Sequence, residues 1–101
     1  MNHDFDTYVM RVLRWAEDRN LIEGSDPKTQ MLKCVSEVGE LADAVAVDDR
    51  EEIIDAFGDV LVTLIILAEM KNLDLLECLE SAYDTIAPRR GKMVNGIFVK
   101  E

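Results

Sequence analysis

Two groups of acidic residues lie within or beside apolar stretches of the sequence, where ordinary surface charges are not expected. Glu37 and Glu40, called the ExxE motif below, are three residues apart. Glu52, Asp55 and Asp59, called the second acidic group, follow at spacings of three and four. Residues at these spacings project from one face of a helix, because a turn contains about 3.6 residues. Each group therefore predicts a row of carboxylates along one side of a helix.

Rows of carboxylates that face each other favour metal binding. Two like charges about 4 Å apart repel by about 4 kcal/mol at an effective dielectric constant of about 20, so converging acids take up protons or bind a cation. Oxygen ligands suit Mg²⁺, Mn²⁺ or Ca²⁺. Mg²⁺ commonly keeps water and substrate phosphates as its remaining ligands, which favours phosphoryl chemistry. The competing interpretation is a solvated helix face, which is the commoner use of acids at this spacing.

Two glycines support the metal interpretation. Gly39 directly precedes Glu40, and Gly58 directly precedes Asp59. Glycine inside a helix costs about 1 kcal/mol relative to alanine. It also allows another backbone or a ligand to come close. The two similar stretches therefore predict a pair of helices whose acidic turns face each other.

Capping signals divide the chain into four helices and a tail. Asp26-Pro27 is typical of a helix start, Asp49 and Asp74 can each cap a following helix, and Pro88 ends the last one. The predicted fold is all-α, a four-helix core with helices at about residues 4–20, 27–47, 50–72 and 75–87.

The tail, residues 88–101, has a different character. Asn95-Gly96 stands between short apolar runs, which is the strongest short signal for a hairpin. We expect a short β-hairpin or an ordered tail there.

Apolar residues at helical spacing predict which faces are covered. The third helix becomes apolar on every side through residues 60–68, and such a helix must be covered all round. We therefore expect a homo-oligomer interface on this helix. One face of the first helix is apolar at Phe5, Tyr8, Val9, Val12, Leu13 and Ala16. The second helix has a broad apolar stripe at Met31, Leu32, Val35, Val38, Leu41, Ala42 and Val45. In the fourth helix we expect Leu76, Leu79, Ala82, Tyr83 and Ile86 to point inward.

Composition limits the class of protein. The 101 residues suit one domain, 49% of them are hydrophobic, and the net charge is −10. That charge argues against coating a nucleic-acid polymer, which needs basic residues. Cys34 and Cys78 form no CxxC pair, and the longest apolar run is about half a membrane span. We expect a cytoplasmic protein with two reduced, buried thiols and no membrane association.

From about Leu21 to its end, the chain resembles the MazG-like nucleotide pyrophosphohydrolases, an all-α NTP pyrophosphatase group to which the dimeric dUTPases are related. The resemblance rests on the ExxE motif, on the second acidic group running into an apolar helix, and on the ending at residues 89–100. It implies a single MazG-like domain over residues 1–101, assembled as a dimer or a dimer of dimers. It also implies Mg²⁺-dependent hydrolysis of an NTP or dNTP to the monophosphate and pyrophosphate, as nucleotide-pool housekeeping, with Mn²⁺ as a substitute ion.

The family's metal ligands follow the pattern ExxE…ExxD, and the ExxE motif matches its first half. Many members carry Glu three residues before the aspartate of the Gly-Asp pair, whereas this chain has Ala56 there and an acid one position earlier, at Asp55. Either Asp55 and Asp59 complete the catalytic metal site, or Glu52 and Asp55 do. We favour the first set, because Asp59 follows the glycine and enters the apolar stretch.

Five further residues are candidates for contacting the substrate. Lys33 lies one turn before the ExxE motif and either meets a phosphate or pairs with its first acid. Trp15 either stacks on a base or packs in the core. Arg89, Arg90 and Lys92 form a basic cluster that either covers the triphosphate, as the resemblance implies, or is a solvated tail.

The same residues argue against two other metal-binding folds and leave one alternative function. A di-iron bundle needs Glu-x-x-His on two helices, and His3 is the only histidine. An EF-hand is excluded because no DxDxDG loop exists. The serious alternative is a non-catalytic acidic helical module that mediates oligomerisation or protein interaction, which would keep the apolar third helix without needing acids beside the glycines.

Overall fold

The computed structural model describes residues 4–101, so His3 lies outside the described residues. Four helices and a two-stranded hairpin follow one another along the chain, as predicted. The bounds are α1 Phe5–Asp18, α2 Pro27–Ala46, α3 Arg50–Met70, α4 Leu75–Ile86, β1 Gly91–Val94 and β2 Ile97–Lys100. No helix within residues 4–101 has the length and apolarity needed to cross a bilayer.

Aspartate begins every helix. The side chains of Asp4, Asp26, Asp49 and Asp74 each accept a hydrogen bond from a backbone N–H two or three residues further on. This satisfies one of the amides that lack a partner in the first turn. Pro27 occupies the first position of α2, where a missing N–H costs nothing. The predicted helix starts are therefore confirmed.

Short residues in the left-handed region end the helices and form the hairpin turn. Asn20, Asp48 and Asn72 have φ of 57°, 54° and 56° and follow α1, α2 and α3. In the tail, Asn95 and Gly96 have φ of 51° and 81° and connect two antiparallel strands. Positive φ at both central residues is typical of the turn that suits a two-residue hairpin. The predicted hairpin is thus confirmed.

Helices α2 and α3 form a closely packed antiparallel pair, and α1 lies against α3. In the interface of the pair, the side-chain amide of Gln30, in the first turn of α2, donates a hydrogen bond to the backbone carbonyl of Thr63 at 3.1 Å. Both residues are buried. Small and branched side chains fill the rest of this thin core, namely Ala16, Cys34, Ala44, Ala56, Ile65, Ile66 and Ala68.

The face of α2 that packs on α3 differs from the predicted apolar stripe. Gln30, Cys34, Glu37 and Ala44 are the buried residues of α2. Most of the predicted stripe is exposed, and Leu32 is 71% exposed. The apolar periodicity of α2 therefore does not mark the face that packs on α3 within this chain. The exposed members are Met31, Leu32, Val35, Ala42, Val38 and Val45.

Helix α4 and the hairpin stand largely clear of the rest of the chain. Among the described elements, α4 contacts α3 alone, and none of its residues is buried. The predicted inward positions Leu76, Leu79 and Tyr83 are exposed, which corrects the prediction for this helix. Four paired positions hold β1 to β2, from Gly91 with Lys100 to Val94 with Ile97. Both strands are exposed along their length.

The cysteines and α1 also depart in part from expectation. Cys34 is buried, but Cys78 on α4 is exposed, and both are free thiols. On α1, Ala16 is buried against α3, whereas Phe5 and Tyr8 at its start are 49% and 41% exposed. Only the second half of the predicted apolar face of α1 is therefore covered within the chain.

Candidate metal centre

The antiparallel pairing of α2 and α3 brings three carboxylates together. Glu37 and Glu40 lie one turn apart on α2, and Asp59 faces them from α3. One ligand oxygen from each residue lies within 4.8 Å of the others. We call these residues the three-acid cluster. It joins both halves of the predicted site.

Glu37 is the buried member of the cluster, at 7% exposure. Its Oε1 forms an ion pair with the Lys33 Nζ at 3.0 Å. Its Oε2 is buried and has no hydrogen-bond partner. A buried charged oxygen without a partner is costly, and such groups are normally paired or bound to a metal. Glu40 and Asp59 are exposed, so the cluster opens to solvent on one side.

The acids of the ExxE motif perturb each other. The hydrogen-bonded Lys33 ammonium lowers the pKa of Glu37, and a hydrogen bond with Glu40 acts in the same direction. The hydrogen bond with Glu37 raises the pKa of Glu40, and the negative charge of Glu37 raises it further. As the pH falls, Glu40 is therefore the acid of the motif that takes up a proton first.

An acidic groove of about 470 Å³ extends from the cluster along the two helices. Asp55 and Glu52 line it, one and two turns before Asp59 on α3, but they lie outside the three-acid cluster. The structure thus brings Asp59 to the ExxE motif and leaves the other two acids of the second acidic group along the groove. The lining residues are Glu40, Asp43, Ala44, Val47, Asp49, Glu52, Asp55, Ala56 and Asp59.

Sequence reasoning did not single out Asp43 and Asp49, which also line this groove. A signal for Asp43 was present, because it continues the spacing of three from Glu37 and Glu40 along one face of α2. The sequence predicts a capping role for Asp49, and its side chain does accept a hydrogen bond from the Glu52 N–H at 3.3 Å. Its place at the groove depends on how the loop after α2 folds back.

The two glycines beside the acids do not act as predicted within the chain. A Cβ added at Gly39 or at Gly58 would meet nothing within 4 Å. No backbone of the described chain therefore needs these glycines for a close approach. They lie on open surface of the helix pair, which leaves room there for something other than this chain.

The predicted substrate-contacting residues lie in different places. Lys33 contacts the three-acid cluster through its ion pair with Glu37. Trp15 is 45% exposed, outside the core, with the Arg19 guanidinium 4.7 Å from its ring centroid. The basic tail residues are all exposed around the start of the hairpin, and within residues 4–101 their side chains form no ion pair; they are Arg89, Arg90 and Lys92.

The three-acid cluster fits a divalent metal ion. All of its ligand atoms are carboxylate oxygens, which suit a hard cation such as Mg²⁺ or Mn²⁺. The buried Oε2 of Glu37 lacks any other partner. The open side of Glu40 and Asp59 leaves access for further ligands.

Comparisons with known proteins agree with this geometry. Residues 25–93 match the model of the MazG nucleotide pyrophosphohydrolase domain, a family that depends on divalent metal. An uncharacterised 18.2 kDa protein from the rep-hol intergenic region of Haemophilus phage HP1 (strain HP1c1) is 39% identical over 71 residues. The match covers 70% of this chain and 44% of that protein, so the chain spans less than half the length of its relative. No solved structure matches the chain. The chain belongs to the MazG nucleotide pyrophosphohydrolase family.

Proposed function

We propose that the protein hydrolyses a nucleoside triphosphate, either an NTP or a dNTP, to the monophosphate and pyrophosphate with Mg²⁺ as its ion. The buried, unpartnered Oε2 of Glu37 beside Glu40 and Asp59 carries the proposal. A solvated acidic face would not bury one of its carboxylates. Membership of the family supports the reaction class.

In this proposal Glu37, Glu40 and Asp59 hold the ion. Bound Mg²⁺ would offset the charge of the phosphates and polarise the phosphorus under attack. The bond that breaks joins the α-phosphorus to the oxygen bridging the α- and β-phosphates. The oxygen of a water molecule bonds to the α-phosphorus, and the bridging oxygen leaves with pyrophosphate.

We assign the water-activating role to Asp55. It lines the same groove one turn from Asp59, yet it lies outside the three-acid cluster, so its oxygens are available to take the proton of the attacking water. Glu52, which lines the groove one turn further along α3, is a second candidate for that role.

The proposed enzyme works as a homodimer or homotetramer in the cytoplasm, where it acts on the nucleotide pool. Exposed apolar residues on α2, α3 and α4 support the assembly, because a stable monomer rarely leaves so much apolar surface open. On α3 these residues are Ile54, Phe57 and Leu61, at 59%, 56% and 41% exposure. The proposed assembly does not require the acids of the groove.

A panel of NTPs and dNTPs tests the proposal. We expect release of one pyrophosphate for each monophosphate from at least one nucleotide, dependent on Mg²⁺ and abolished by EDTA. Mg²⁺ should also raise the melting temperature, because a ligand that binds only the folded state stabilises it. An oligomer that releases no pyrophosphate from any nucleotide and shows no Mg²⁺ effect would instead be the acidic interaction module.

A further inference from the structure

We propose that the ammonium group of Lys33 offsets part of the charge of the three-acid cluster in the metal-free protein and moves to the phosphates of the substrate in the metal-bound protein. This inference rests on the proposed function and adds an exchange of cations within the same site. It predicts that one side chain has opposite effects on metal affinity and on phosphate affinity.

The first observation is the placement of the ammonium. Lys33 Nζ lies 3.0 Å from Glu37 Oε1, one helical turn away on α2. Its pKa is raised by the hydrogen bond and charge of Glu37, and further by the charges of Glu40 and Asp59. A single cation therefore experiences all three acids of the cluster, and in the metal-free protein it offsets part of their repulsion.

The two partners of the ion pair differ in their freedom to move. The side chain of Lys33 is 62% exposed, whereas that of Glu37 is 9% exposed. Water reaches the lysine side of this pair, and the flexible stem of lysine allows its ammonium to be placed elsewhere. Glu37 is fixed by burial, so it is Lys33 that can leave the pair.

The acidic character of the groove makes a substrate phosphate the second partner that we propose for Lys33. Each of the six charged residues that line it is acidic, and none of its lining residues is basic. Phosphates that approach this groove meet carboxylates, and Lys33 is the basic side chain already at its cluster end. The Lys33 ammonium beside the cluster repels an incoming divalent metal ion. When the ammonium moves to a phosphate, this repulsion is removed and the charge of the substrate is partly offset.

Calorimetric titration of the full chain tests the exchange in two parts, with Lys33→Met as the main variant. Lys33→Arg keeps the charge, and Lys28→Met removes a charge from the exposed start of the same helix. Titration of Mn²⁺ into metal-free protein should give a dissociation constant about fivefold lower for Lys33→Met than for the wild type. The Mn²⁺ dissociation constants of Lys33→Arg and Lys28→Met should stay within about twofold of the wild-type value. Lys33→Arg keeps the charge beside the cluster, and Lys28→Met removes a charge that lies further away.

The second part measures phosphate binding. Inorganic pyrophosphate titrated at saturating Mg²⁺ should bind Lys33→Met about tenfold more weakly than wild type, because a charge-assisted contact is lost. Opposite shifts in the two titrations support the exchange. Lys33→Met that binds Mn²⁺ no more tightly, or that binds pyrophosphate as well as the wild type, overturns it.

These readouts separate the inference from the proposed function. A wild type that binds Mn²⁺ and releases pyrophosphate from a nucleotide while Lys33→Met behaves like Lys28→Met would leave the function intact and remove the exchange. A wild type that binds no divalent ion would remove both. The far-UV circular dichroism of each variant is recorded first. If Lys33→Met does not fold, Lys33→Gln provides the same two readouts, and Lys33→Gln that binds pyrophosphate as tightly as the wild type would contradict the exchange.

Discussion

Gln30 on α2 donates a hydrogen bond from its side-chain Nε2 to the backbone carbonyl of Thr63 on α3, at 3.1 Å across the buried interface of the helix pair. Gln30 lies about two turns before Glu37, and Thr63 lies about one turn after Asp59. Because the two helices run in opposite directions, the same register produces this bond and places Glu37 opposite Asp59. We therefore expect the site to depend on this polar contact.

Replacing Gln30 by alanine should destabilise the protein. The variant loses a buried hydrogen bond and leaves a small cavity, which together cost about 1–3 kcal/mol of unfolding free energy. Urea denaturation measures the change. Ser36→Ala, at an exposed position of the same helix, should stay within about 0.5 kcal/mol of the wild type. Equal stability of Gln30→Ala and wild type would show that the bond does not hold the register.

The raised pKa of Glu40 predicts that ionised Glu40 destabilises the folded, metal-free protein. Its pKa is above the ordinary value of 4.5 because of its contact with Glu37, so the folded state resists ionisation of Glu40. The resulting loss of stability is fully present above the folded pKa, and it is relieved as the pH falls through that pKa. Glu40→Gln should therefore melt at a higher temperature than wild type at pH 7 in EDTA.

The advantage of Glu40→Gln should shrink as the pH is lowered toward 4.5, because wild-type Glu40 then takes up its proton. The same variant should lose turnover while keeping its helical spectrum. Thermal melts in EDTA at several pH values measure the first effect. A variant that melts below the wild type at pH 7 would mean that the contact with Glu37 stabilises the metal-free protein.

Asp59 and Asp55 should have separate roles although they lie one turn apart. Asp59→Asn should weaken Mn²⁺ binding by more than about tenfold. Removing a metal ligand should cost at least as much affinity as removing a group that only orients a ligand. Asp55→Asn should leave Mn²⁺ affinity within about twofold and lower kcat by about a hundredfold, the loss expected for a general base. Titration and steady-state kinetics on both variants measure this, and the reverse pattern would place the metal at Asp55.

Disruption of the exposed face of α3 should separate the subunits. Phe57→Glu or Leu61→Glu introduces a charge where the wild type offers apolar surface at 56% and 41% exposure. Light scattering coupled to gel filtration should show a dimer or tetramer for wild type and a monomer for either variant. Lys28→Glu, which changes charge at the start of α2, should keep the wild-type mass. A wild type that is monomeric at all concentrations would refute the assembly.

The sequence determines the helix boundaries through local chemistry. Asp26 accepts hydrogen bonds from the Thr29 N–H at 2.8 Å and from its hydroxyl at 3.1 Å, and such a cap needs only four consecutive residues. Asn95-Gly96 likewise forms its turn from its own backbone preferences. Boundaries of this kind could be predicted because no distant part of the chain is involved in them.

The buried faces could not be predicted in the same way. The apolar periodicity of α2 indicated Leu32 and Val35, whereas the chain buries Gln30 and Glu37 on that helix. A polar residue in a core is recognised only when its partner is known, and Thr63 lies 33 positions away. Apolar side chains on α2 and α4 that face no part of the chain follow the same periodicity as a core, so the pattern alone could not distinguish them.

The choice between Asp59 and Glu52 as the ligand alongside Asp55 needed the packing of two helices. All three acids occur at helical spacing in α3, and sequence favoured a site containing Asp55 and Asp59. The pairing of α2 with α3 places Asp59 with Glu37 and Glu40 and leaves Asp55 along the groove. Which acid meets the ExxE motif depends on helix register, which the spacing within one helix does not contain.

Pyrophosphate release by wild type and by Glu37→Gln is the most direct test of the account. Glutamine keeps the shape of the buried side chain and removes the charge of the oxygen that lacks a partner. We predict Mg²⁺-dependent release by the wild type and a loss of more than about a hundredfold in Glu37→Gln, beyond the range seen when only a supporting group is removed. Equal release by the two proteins would contradict the account, because the three-acid cluster would then have no part in catalysis.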